Sequence, residues 1–204
     1  MFSIQYAVLD AALRQIHRIR NDRAGLLARY KYFQRHGFPD GVNAGRGKAA
    51  TFGIDQILQL LLAFDLVETG CGPTRVMRIV RTNWPELRPA FAQGWLIANG
   101  EPKSTRGRPI LIMRPSVLEE MNSPDEADEP VRSPLVISSY AVLGDWIADL
   151  ESGSVWVVVD PASMVFGFRE FLAGYDKILG EQFDKGFWNW SQFEVGIGLH
   201  VRRR

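Results

Sequence analysis

The stretch GRGKAA at residues 45–50 sets Arg46 between two glycines and Lys48 directly after the second. That combination lets a backbone come close to a phosphate and then neutralise it. It formally matches G-x-G-x-x-A, the turn that seats a dinucleotide pyrophosphate at a helix N-terminus. Such a turn needs a buried strand directly before it, and HGFPDGVNA supplies none. A Walker loop fails as well: Val42 stands five residues before Gly47, and Ala49 replaces the magnesium-binding hydroxyl. No G-x-S-x-G elbow occurs. His17, His36 and His200 lack a carboxylate or cysteine partner at ligand spacing along the chain, and Cys71 is alone. Neither a zinc site nor a disulfide framework is expected from that pattern. Glu119, Glu120 and the acidic run 125–129 read as a solvated loop rather than paired catalytic carboxylates. The expectation is a protein with no catalytic residues, no cofactor and no metal: not an enzyme.

The charge distribution points elsewhere. The formal net charge is only +1 over 204 residues, yet residues 1–108 carry 16 Lys+Arg against 8 Asp+Glu, while residues 109–204 carry 8 against 15. A basic half facing a polyanion and an acidic half with another task is the simplest reading. The composition, 46% apolar with 11% aromatic, suits a folded chain with a hydrophobic core. No apolar run approaches the roughly 18 residues of a membrane span, and the N-terminal segment lacks the pattern of an export signal. A cytoplasmic protein, with no membrane partner, is expected.

Apolar periodicity gives the elements that must position these charges. Tyr6, Ala7, Leu9, Leu13, Ile16 and Ile19 form one stripe, predicting a helix over residues 4–20. After the turn Asn21–Asp22, RAGLLARYKYFQRH at 23–36 predicts a second helix, ended by Gly37. Leu26, Leu27, Tyr30 and Phe33 give it a buried side, and Arg29, Tyr32 and Arg35 an outer one, with Arg23 and Lys31 nearby. A strongly apolar helix follows the glycine-rich stretch and closes at Gly70. Another runs from Pro73 to about Arg81, with Arg75, Arg78 and Arg81 on its wetter side, and a separate short helix follows at 83–96. Beyond the Gly/Pro/Ser-rich residues 99–109, ILIMRP and VWVVVD (155–160) predict strands, the latter the clearest buried one. YAVLGDWIADLES predicts a helix, and a further helix starts at Pro161. Phe166, Phe168, Phe171, Trp188 and Trp190 are expected in the core.

Two helices joined by a short turn, the second more basic, followed by a glycine-rich basic segment, read as a helix-turn-helix with a wing. YKYFQRHGFP at 30–39, Phe52 opening the next helix and ETGCGPTRVMRIV at 68–80 carry the likeness further: residues 3–82 resemble the MerR-type winged helix-turn-helix regulators. The chain departs from them in Ala50, where the family has a basic residue, in its longer first helix, and in lacking their dimerising coiled coil and metal-binding cysteines. The resemblance implies that Arg29, Lys31 and Tyr32 lie on a recognition helix and Arg46 and Lys48 on the wing.

The reading as a whole is an α+β protein. A winged helix-turn-helix domain (1–98) leads through a linker (99–109) to a smaller mixed α/β domain (110–204). The expected DNA-binding residues are Arg23, Arg29, Lys31, Tyr32, Arg35, Arg46 and Lys48, and the expected function is transcriptional regulation on double-stranded DNA. Expected partners also include a second copy bound through the C-terminal half. Alternatives are an antitoxin-like adaptor whose acidic half binds a protein partner, and an excisionase-like DNA-bending protein.

Overall fold

The computed structural model describes residues 2–20, 23–42, 49–99, 107–113, 135–139, 141, 143–144 and 156–201, and of these the side chains of all but 23, 98, 135, 136 and 193–201. The described chain is mostly helical with two small antiparallel sheets, an α+β arrangement. Its elements are β1 (Ile4–Gln5), α1 (Tyr6–Ile16), α2 (Arg23–Arg35), β2 (Thr51–Phe52), α3 (Ile54–Glu68), α4 (Pro73–Ala98), β3 (Pro109–Met113), β4 (Leu135–Ser139), β5 (Val157–Val159), α5 (Pro161–Tyr175) and α6 (Lys177–Val201).

The first helix is shorter than its apolar stripe suggests. Ile4–Gln5 is extended and pairs antiparallel with Thr51–Phe52, in register Ile4↔Phe52. At the far end the chain turns at His17, and Arg18 takes a positive φ of 53°. The strand leaving the glycine-rich stretch therefore pairs with the N-terminus. Among the described residues, 38–42 and 49–50 form no strand.

A larger correction concerns the two helices expected at 73–81 and 83–96. They are one helix, α4, running through Pro85 and Pro89. A proline inside a helix removes one N–H and frees the carbonyl four residues back. These two stand four apart on one side of α4, Pro85 exposed and Pro89 half-buried. The inward side is sealed by Met77, Val80, Leu87, Phe91 and Trp95, all buried. Conversely, the single helix expected from Pro161 is two: Asp176 leaves helical geometry (φ −156°, ψ 115°) and caps α6, its carboxylate accepting from Ile178 N–H at 2.8 Å.

Sheet order also differs from the apolar runs. The central strand of the three-stranded sheet is the fully buried β3, with β4 and β5 antiparallel on its edges. β5, read as the clearest buried strand, is three residues long and leaves Val158 exposed. An apolar run reports a preference for burial, but position in the sheet decides how much is realised. The acidic run, most of the helix expected around 140–152 and residues 99–106 other than Asn99 lie outside the described residues.

The apolar core is continuous from Phe2 to Phe187 and draws on residues from both sides of 99–109. Phe183 of α6 is its hub, with ring centroids 5.2 Å from Phe2, 6.0 Å from Trp95, 5.3 Å from Phe168 and 5.4 Å from Phe187. Phe168 and Phe171 are buried and Trp190 half-buried, as their spacing predicts, but Phe166 and Trp188 are 46% and 42% exposed. Each is on the outer side of its helix.

Helices α4 and α5 approach backbone to backbone at Gly94. A Cβ placed there would meet the backbone nitrogen of Ala162 at 3.0 Å. Gly94→Val is expected to destabilise the chain by about 1–3 kcal/mol through overpacking. Gly167→Ala, at a helical site with no neighbour within 4 Å, should stabilise it by about 0.5–1 kcal/mol. Urea unfolding of the two variants checks both signs.

Candidate functional site

Helix α2 contains four basic residues and no acidic one. Leu26, Tyr30 and Phe33 bury its inner face, which fixes the outer face by helical geometry. Tyr30 stacks on Tyr6 of α1 with centroids 4.3 Å apart, and Phe33 meets Phe64 of α3 edge-on at 5.6 Å. Burial pushes the Tyr30 phenol up to about 12, so it stays a neutral packing group. Arg29, Lys31 and Arg35 are left exposed on the opposite arc, where the sequence places them.

The end of α2 is built with unusual completeness. Gly37 takes φ 66°, donating to Gln34 O, and Phe38 N–H reaches back to Phe33 O at 2.9 Å. This is a Schellman turn, and its apolar partners Phe33 and Phe38 pack at 5.3 Å. Arg81 then completes the cap: its Nη2 donates to the carbonyls of His36 (3.1 Å) and Gly37 (2.8 Å), and its Nε to Asp40 Oδ1 (2.8 Å). The guanidinium also sits over the Phe38 ring, 5.6 Å from its centroid. From α3, Gln56 donates to Asp40 O at 3.1 Å while its Oε1 accepts from Gly53 N–H at 3.0 Å. Gln59 accepts from Asp40 N–H at 3.4 Å. The loop leading into the glycine-rich stretch is thus pinned by α3 and α4.

Tyr32 is half-buried, and its hydroxyl is 2.7 Å from Thr74 Oγ1 at the start of α4. It holds α4 against α2 and stacks near His36, whose Nδ1 donates to Tyr32 O at 2.9 Å. The three arginines of α4 expected on one wet side have three different fates. Arg75 is buried, Arg81 is the clamp, and Arg78 is exposed. Thr74, Arg78 and Arg81 stand at i, i+4 and i+7, so Arg78 lies between two residues that touch the end of α2. Arg46 and Lys48 lie outside the described residues, as does the side chain of Arg23.

A second polar cluster went unseen in the sequence. His17 Nδ1 is 2.9 Å from Glu68 Oε2 and 3.7 Å from Asp65 Oδ1, so the histidine expected to lack carboxylate partners has two. Burial is the main reason Asp65 is raised to about 6; Glu68 adds to it and His17 opposes it. No local pattern announces this, since the histidine and Glu68 are 51 residues apart. The role of Gln56 was readable, because Gln at the third helical position is half of a capping box. That of Arg81 was not.

Among the described residues no helix is long and apolar enough to cross a membrane. No protein-family model matches the chain, and no curated protein matches it either.

Replacing Arg81 by Ala is expected to cost roughly 1–2 kcal/mol, from charged hydrogen bonds partly screened by solvent. Replacing Arg78 should change stability by no more than about 0.5 kcal/mol, as for other exposed sites. Thermal or urea unfolding of the two variants separates the clamp from the free surface.

Proposed function

We propose that the chain is a sequence-specific DNA-binding regulator of transcription that inserts α2 into the major groove. The observation that carries this reading is the outer face of α2: Arg29, Lys31 and Arg35 are exposed on a helix without a single acidic residue. Arg78, exposed on α4 one turn from Thr74 and from Arg81, adds a cation near the end of α2. The Arg81 clamp and the Tyr32–Thr74 contact support the reading in a second way, because they fix α2 before any ligand arrives. A preorganised basic helix forfeits less conformational entropy on binding than a mobile one.

In this reading Lys31, Arg35 and Arg78 neutralise phosphates, and Arg29 reads a base edge, where guanidinium forks match guanine. Tyr32 lies between Arg29 and Arg35 on the same side of α2, with its hydroxyl engaged by Thr74. The wing of this reading is the segment 40–52, whose Arg46 and Lys48 supply charge for neighbouring phosphates. The nucleoid is then the place of action. The protein pairs with a second copy through residues 110–204, where exposed Phe166, Tyr175, Ile178 and Trp188 offer apolar surface. Groove-reading modules commonly work in such pairs.

Electrophoretic mobility shifts of the full chain on random duplex, at low and moderate salt, test the proposal. Binding should fall steeply with salt, and replacing Lys31 and Arg35 by Ala should flatten the log–log salt slope by about 0.9 for each phosphate that is no longer neutralised. Arg29→Ala should also relax base preference in a selection from random sequences. No shift at low salt removes the proposal. A shift without any base preference turns it towards the architectural alternative. Sedimentation velocity tests the pairing: a monomer at high concentration counts against it.

A further inference from the structure

Three possible metal ligands converge at a place the DNA reading does not use. His17 caps the C-terminal end of α1, while Asp65 and Glu68, three residues apart, share a face in the last turn of α3. Their ligand atoms all lie within 4.8 Å of one another. The His17 Nδ1 distances, 2.9 Å to Glu68 and 3.7 Å to Asp65, bracket the separation between neighbouring ligands around a small cation. With metal–ligand bonds of about 2.0–2.2 Å, that separation is roughly 3–3.5 Å.

The environment of the cluster fits a cation as well. The imidazole is 7% exposed, and its Nε2 is buried without a hydrogen-bond partner among the described residues, so Nδ1, aimed into the cluster, is the engaged atom. Glu68 is 66% exposed, which lets water complete the coordination shell from the open side. Among the described residues neither carboxylate has a lysine or arginine partner. The two carboxylates therefore share His17 as their partner in a partly desolvated place.

We propose that His17, Asp65 and Glu68 bind a divalent first-row transition cation of the zinc, cobalt and manganese class. One imidazole nitrogen with two carboxylates suits these ions, whereas magnesium and calcium prefer oxygen alone. A bound ion fastens the turn between α1 and α2 to the end of α3. Its presence is independent of whether α2 meets DNA.

Isothermal titration of the metal-free full chain with zinc chloride tests the assignment. Binding to a single site is expected, with a rise in Tm as the ion stabilises the folded state. Glu68→Gln and Asp65→Asn, which keep side-chain shape, should each weaken zinc binding at least roughly tenfold, since even the loss of outer-shell partners costs about 10–100-fold. The Tm rise should shrink in parallel. His36→Ala should leave affinity unchanged. Absence of zinc binding, or full affinity retained in either carboxamide variant, overturns the proposal. Glu68 is exposed, so its variant reports on the site without risk to the core.

Discussion

Helix α4 is packed along its whole length, and the other elements take their places from it. Its first turns meet α2 through Thr74 and Arg81, its middle meets α3, and its last turns lie against α5, α6 and β3. At Gly94 the contact with α5 is close enough that even a Cβ would press on Ala162. Apolar burial of this kind supplies most of the stabilisation, because it removes large surfaces from water while the helix satisfies its own backbone groups. Trp95 shows the consequence: it packs on Phe183 and Phe187 of α6, so the C-terminal helices and the N-terminal core share one apolar interior.

Apolar contact is strong but not directional, and the polar contacts settle the register. Asp55, in the first turn of α3, accepts from the indole nitrogens of Trp84 (3.2 Å) and Trp190 (3.4 Å) and pairs with Arg88 at 2.9 Å. One carboxylate thereby joins α3, α4 and α6. Arg169 does the same between α5 and α6, making two bonds to Asp184 at 2.7 and 2.8 Å with its guanidinium over Trp95. Paired guanidinium and carboxylate forks tolerate little displacement, so each adds geometry more than energy.

The same division of labour shapes α2. Stacking of Tyr6 on Tyr30 and the edge-on packing of Phe33 against Phe64 bury the inner face. The C-terminal end of α2 is then tied by Arg81 of α4, and the end of α1 by the contact of His17 with Glu68 of α3.

What the sequence determined by itself is whatever short spans encode. The end of α2 at Gly37, the buried Leu26, Tyr30 and Phe33, the exposed Arg29, Lys31 and Arg35, and the N-terminal proline of α5 follow from periodicity and capping within a few residues. Pro85 and Pro89 misled because local rules end a helix where tertiary packing can carry it through. The pairing of Ile4–Gln5 with Thr51–Phe52, the burial of Arg75, the conversion of Arg81 from surface charge to clamp, and the meeting of His17 with Glu68 were decided only by the tertiary structure. Arg81 and Asp40 are 41 residues apart, and nothing local to either says that they will touch. Such contacts depend on how helices cross, which no span shorter than the whole core contains.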